Sequence, residues 1–256
     1  MKSFIKQILE LIFSIFKKEE VPIINDLNTN LEEKEETPII EQVEIKQPEN
    51  DLKNTSNEVY EMLTIKQRQT YLKKINLYTK SIDGISGSGT KLAIKQFNII
   101  FLNKKSDTYT EETDKLLRKI YTSYCKSKYM VATDWQYFKD FKKSEFYCTC
   151  NKKYCDGYNG LEDKIPMHLL MADQYIRNYY GKAVSFSCSI RCPKRNKEVG
   201  GVSNSKHIKF RANDLKCKGI KSSQVVSLIY KGANKLPFVN YSYSITTFYT
   251  HVDVTI

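Results

Sequence analysis

Ser205-Lys206-His207-Ile208-Lys209-Phe210-Arg211-Ala212-Asn213-Asp214, followed near the C-terminus by His251-Val252-Asp253, is the stretch on which the reading of this chain turns. Two imidazoles and one carboxylate form a ligand set for a catalytic zinc, because three protein ligands leave a fourth position open. The chain holds only three histidines, and two of them fall in this pattern. His207 and Asp214 are too far apart for one helical turn, so they are expected to meet across a strand and its return. His251 would close the site from a separate strand. Asp253 follows His251 by two positions, and on a strand such residues share a face. It could therefore move a proton at the site, or serve only as a partner for a neighbouring group.

Composition bounds the partners. The chain of 256 residues, 41% hydrophobic, can bury a core in one large or two small domains. Its net charge of +12 is unevenly spread: residues 19–58 carry twelve carboxylates against Lys34, Lys46 and Lys53, which leaves +21 on the remainder. A body that basic suits polyanionic surroundings such as nucleic acid, anionic lipid or a bacterial wall with phosphate polymers. A nucleic-acid partner rests on charge alone and is not expected.

Residues 19–58 also contain three of the six prolines and no glycine, the composition of an acidic, disordered linker. Before it, Phe4, Ile5, Ile8, Leu9, Leu11, Ile12, Ile15 and Phe16 crowd one face of an amphipathic helix over 1–18, flanked by Lys2, Lys6, Lys17 and Lys18. Glu10 interrupts the apolar run and no small-residue cleavage site follows, unlike a standard signal peptide. Two readings stand for this helix: contact with a membrane surface, or docking on a protein partner or on the chain's own body.

The seven cysteines are an odd set in a chain too long to need disulfide staples, so mostly free thiols are expected. Cys148, Cys150 and Cys155 are close enough to invite a second metal site. Their spacing is not the paired Cys-x-x-Cys of a zinc ribbon, and a loop with buried thiols is the other reading.

From residue 60 the pattern is helical. Leu63, Ile65, Tyr71, Leu72, Ile75 and Leu77 suit an amphipathic helix; Asp83-Gly84-Ile85-Ser86-Gly87-Ser88-Gly89-Thr90 is a turn, with Thr90 placed to cap a second helix over Leu92–Phe101. Thr110-Glu111-Glu112-Thr113 starts a third. Gln67, Leu72, Tyr78, Asp83-Gly84-Ile85-x-Gly87-x-x-Thr90-x-x-Ala93-Ile94-x-x-Phe97 and Thr113-x-x-x-Leu117 resemble the peptidoglycan-binding domain of bacterial and phage wall hydrolases, over residues 60–122.

Within residues 136–256, Ile165–Arg177 and Ser222–Tyr230 read as helices, Val184–Ser187 as a strand and Ser244–Val254 as a β-rich stretch. Arg191-Cys192-Pro193-x-x-Asn196-x-x-Val199-Gly200-Gly201-x-x-x-Ser205-x-His207-x-x-x-x-Ala212-x-Asp214, with the late His251-Val252-Asp253, is similar to the D-alanyl-D-alanine carboxypeptidase family of zinc peptidases. That resemblance implies an α+β domain with a small antiparallel sheet, Zn2+ on His207, Asp214 and His251, and bacterial peptidoglycan as substrate. It also implies catalytic roles for Asp253, Arg191 and Ser205: proton transfer, a fixed cation for the oxyanion or a substrate carboxylate, and orientation of a ligand or substrate. The chain departs from the family where glycine is common and Phe210 stands, where Ser-Gly-Tyr gives way to Cys188-Ser189-Ile190, and where a glutamate base gives way to Phe248. Either Asp253 takes the base role or catalysis is weak or lost.

The whole chain thus reads as multidomain, α and α+β: a three-helix bundle joined to a zinc peptidase, in the layout of a phage or prophage endolysin. It would be made in the cytoplasm without a standard signal peptide and act at the bacterial cell wall. A wall-binding protein with an inactive peptidase fold is the competing reading.

Overall fold

A computed structural model describes residues 60–157 and 164–256; the expected helix over 1–18 and linker over 19–58 lie outside the described residues. Helix α1 (Ile65–Lys74) begins at a capping box, in which Thr64 Oγ1 accepts from Gln67 N–H and the Gln67 side chain accepts from Thr64 N–H. Helix α2 spans Ser88–Leu102 and is capped by Gly87; Thr90 lies inside its first turn. The expected capping role of Thr90 is therefore corrected. Its hydroxyl is buried instead beside Gln69, whose amide donates to Thr90 Oγ1, Asp83 Oδ1 and the Ile85 carbonyl and accepts from Gly84 N–H. One buried glutamine thus satisfies the turn that would otherwise leave polar groups orphaned. Helix α3 (Glu111–Lys126) starts at Thr110, as expected.

Helix α4 (Met167–Tyr180) buries nearly every face, including ten consecutive residues from Met167 to Ile176, the pattern of a helix enclosed on all sides. On one side it packs against α2. Asn178 Nδ2 donates to the Ile99 carbonyl at 2.6 Å, and Gln96 Nε2 from α2 reaches the Asn234 and Lys235 carbonyls, each at 3.0 Å. His168 is stacked on Phe238, with its ring nitrogens 3.0 Å from the Thr255 carbonyl and 3.3 Å from the Ile75 carbonyl. The apolar core runs without a break from Leu72 and Phe97 through Leu170 and Tyr175 to Val252 and Val254.

On its other side α4 meets an antiparallel four-stranded sheet of order β1-β2-β4-β3, with β1 Val184–Cys188, β2 Ala212–Cys217, β3 Val239–Ser244 and β4 Tyr249–Val254. The β-rich stretch expected over Ser244–Val254 holds β4 and only the last residue of β3; the hairpin of the two strands starts earlier, at Val239, and turns at 245–248. Short helices α5 (Pro193–Glu198) and α6 (Ser222–Val226) flank β2, and tighter single turns lie at Ala132–Tyr137 and Lys143–Phe146; α6 continues as a wider turn over Ser227–Lys231. Helices and a small antiparallel sheet together make the α+β architecture.

Asp114 on α3 ties the segment before α1 in place. Its carboxylate accepts from Leu63 N–H at 2.7 Å, Tyr109 Oη at 2.8 Å, Arg118 Nε at 2.6 Å and Tyr60 Oη. Burial opposes its charge, but these donors outweigh burial and hold the carboxyl at about 2 against an ordinary 3.8. A folded-state value below the unfolded one stabilises above the unfolded value and is lost as pH falls through the folded one. Asp114→Ala is therefore expected to cost about 2–3 kcal/mol at neutral pH. In denaturant titrations the gap between variant and wild type should close as pH drops from 4 to 2.

Candidate metal centre

Sheet register brings the first two candidate ligands together. In the β2–β4 ladder Asp214 is the direct partner of His251, and Ala212 of Asp253. Side chains on paired strands project to a common face at such positions, and His251 Nδ1 lies 2.8 Å from Asp214 Oδ1. His207 comes from a turn, not from a strand as expected. The chain reverses over 206–210, with Arg211 N–H donating to the Lys206 carbonyl at 2.9 Å, and Phe210 adopts a left-handed φ of 63°. For a residue with a Cβ that conformation costs roughly 1–2 kcal/mol, which accounts for the glycine common at this place in the resembling family. The reversal folds His207 back over the start of β2, where its Nε2 lies 3.3 Å from Asp214 Oδ1.

Both rings have their far side held. His207 Nδ1 is 2.7 Å from the Ser189 carbonyl, which fixes Nδ1 as the donor and turns Nε2 toward Asp214. His251 Nε2 is 3.5 Å from Asp253 Oδ2, and Asp253 Oδ1 accepts from Asn240 Nδ2 at 2.8 Å. A carbonyl or carboxylate behind each imidazole is the arrangement that orients metal-ligating histidines. Burial disfavours charge on His207, but Asp214 and Cys188 outweigh it and raise the ring to about 9. His251 is also raised, and Asp214, despite burial, is held well below the usual carboxylate range by the two imidazoles. The place where these atoms converge is built to hold positive charge. Two imidazole nitrogens and one carboxylate oxygen are donors that suit zinc, so the residues fit that ion.

The other expected site residues are at hand in different postures. Ser205 is buried, and its Oγ accepts from His207 N–H at 3.3 Å, so it shapes the turn that carries the ligand. Arg191 points at Asp214, Nη2 to Oδ2 at 3.5 Å, and its Nη1 donates to Asn196 Oδ1 at 3.1 Å. Gly201 is required here: a Cβ at that position would sit 2.3 Å from Asn196 Oδ1, displacing the amide that steadies Arg191. Asp253 lies behind His251, against the nitrogen remote from Asp214. Cys188 was not anticipated as part of the site. Its Sγ accepts from Arg191 Nε and Nη2, each at 3.3 Å, and lies 3.7 Å from His207 Nδ1. Donor atoms of Cys188, His207 and Asp214 all lie within 4.8 Å of one another. Its replacement of the family's serine in the motif was the signal available. Phe248 stands 42% exposed in the turn before β4, with Lys216 Nζ 5.8 Å from its ring centre.

Residues 139–253 match the family model described as Peptidase M15. The match spans the sheet, α4 and every residue of the site just described, and supports a metallopeptidase domain over that segment. No curated protein matches the chain.

Asp253→Asn tests the posture of that carboxylate. Loss of a partner behind a ligating histidine is expected to weaken zinc binding roughly 10–100-fold, while Asp214→Asn should abolish it, as read by competition against a chromophoric chelator. Equal, negligible effects of both substitutions would disprove the assignment of this centre to a metal.

Proposed function

We propose that this chain is a zinc-dependent peptidoglycan hydrolase that cleaves an amide bond in the stem or cross-link peptide of the bacterial wall, with residues 60–122 contributing attachment to that wall. The observation that carries the reading is the convergence of His207 Nε2 and His251 Nδ1 on Asp214 Oδ1, inside a segment matching Peptidase M15. His207, Asp214 and His251 would hold the ion. Bound there, zinc would polarise the scissile carbonyl and acidify water.

The chain's own side chains supply orientation and charge. Asp253 and the Ser189 carbonyl fix the two rings, and Ser205 fixes the turn beneath His207. Arg191 is a cation with little conformational freedom at the edge of the site, suited to a developing oxyanion or to a terminal substrate carboxylate. Tyr243, the cross-strand partner of His251, lays its ring 4.9 Å from that imidazole and offers a flat apolar wall. The strongly basic body favours a polyanionic wall.

One observation favours a second reading, a wall-binding protein whose peptidase fold does not turn over. Phe248 cannot accept a proton, and Asp253 is committed to His251 and Asn240. The two readings separate on purified sacculi loaded with zinc. Hydrolysis predicts turbidity loss with new amino and carboxyl ends identified by mass spectrometry, abolished by His207→Ala. A pure binder predicts co-sedimentation with walls and no new ends. Because Phe248 lies exposed in a turn, Phe248→Glu is expected to raise turnover on the order of a hundredfold by restoring a general base. No gain, together with an inactive parent, would leave only the binding reading.

A further inference from the structure

Four cysteines from two stretches of chain come together away from the histidines. Cys148, Cys150 and Cys155 lie in the loop after the short turn over Lys143–Phe146, and Cys192 is the residue that caps α5. Their sulfurs all lie within 4.8 Å of one another, with Cys150 and Cys155 at 3.4 Å. The four thiols are free, and three of them form a small buried cluster separate from the main core. An ion bound tetrahedrally at about 2.3 Å spaces its sulfurs about 3.8 Å apart, so the cluster already has the dimensions of such a cage. Two disulfides would instead split four sulfurs into two bonded pairs, with no need for all four to share one point.

The surroundings match a thiolate site. Cys148 accepts from Cys192 N–H at 3.3 Å, and Cys192 accepts from Arg195 N–H at 3.3 Å. Two of the four sulfurs thus have a backbone donor, the kind of support that steadies ligating thiolates. Achieving it demands an unusual backbone: Asn151, Lys152 and Gly157 all take left-handed φ values. Lys153, Tyr154 and Arg195 converge on Glu198, stitching the loop to α5 from outside. The loop contributes little apolar surface to the core, so something other than packing has to fix it.

We propose that Cys148, Cys150, Cys155 and Cys192 form a structural zinc site, closed by four protein thiolates and distinct from the histidine centre. A closed S4 shell leaves no position for substrate, so its role is to fold the loop and pin it to Cys192. Cys192 follows Arg191 directly, so the ion would also set the position of the guanidinium that meets Asp214. This inference does not depend on hydrolase activity.

The test uses the full chain purified under reducing conditions from cells grown with zinc or with cobalt. Wild type and His207→Ala are each expected to retain one tightly held zinc that Cys150→Ser/Cys155→Ser loses. The cobalt forms of the first two should show intense thiolate-to-cobalt charge transfer that is missing from the double variant, which keeps only the ligand-field bands of the histidine centre. Keeping the charge transfer in His207→Ala and losing it in the double variant, where Cys188 is intact, assigns it to the four-cysteine cluster and not to Cys188 or the histidine centre. If the double variant does not fold, the wild-type and His207→Ala spectra decide. Cobalt uptake without thiolate charge transfer, or isolation of the four cysteines as disulfides without metal, would overturn the proposal.

Discussion

The antiparallel pairing of β2 with β4 is the constraint on which the site rests, because it makes Asp214 and His251 cross-strand neighbours. A slip of one residue in either strand would turn one of the two side chains to the opposite face of the sheet. The register is held from the core side by Leu215, Val252 and Val254, all fully buried. It is held at the hairpin by Ser222 N–H, which donates to the Thr247 carbonyl, and by the Ser222–Thr250 hydroxyl pair. The chemistry therefore inherits its precision from packing. His207 is different: its place depends on a turn kept in a costly left-handed conformation at Phe210, whose partly buried ring packs against the core.

The helices before the sheet are part of the same packing problem. The buried His168 and Gln96 and the half-buried Asn178 each use a polar side chain to meet backbone carbonyls across the junction between α1–α2 and the C-terminal body. Buried polar groups of this kind are costly when separated. Residues 60–126 consequently do not behave as a bead on a flexible tether but hold a fixed position relative to Arg191 and the histidines.

Much of this was legible in the sequence. The Thr110 cap, the amphipathic helices and the β-rich C-terminus follow from local periodicity and capping chemistry, which neighbouring residues determine. The grouping of His207, Asp214 and His251 followed from ligand chemistry and motif spacing together. What escaped notice depends on three-dimensional neighbours. Thr90 suits a helix cap, yet Gln69, far away in sequence, recruits its hydroxyl into the turn. Asp253 shares a face with His251, yet only the rotamer and Asn240 show that it stands behind the ring. Cys192 joins three cysteines more than thirty residues earlier, and no spacing rule links them.

One departure from the family pattern lies close to the cysteine loop. Cys188 stands where a serine is usual, and Cys192 lies four residues on; Arg191 between them touches both Cys188 and Asp214. A sulfur beside Arg191 and His207 is drawn toward its thiolate form, since burial is outweighed by the imidazole and the guanidinium. The segment 188–192 therefore sets the Cys188 sulfur and the Arg191 guanidinium, which face the histidine centre, next to Cys192, whose N–H meets Cys148 in the loop.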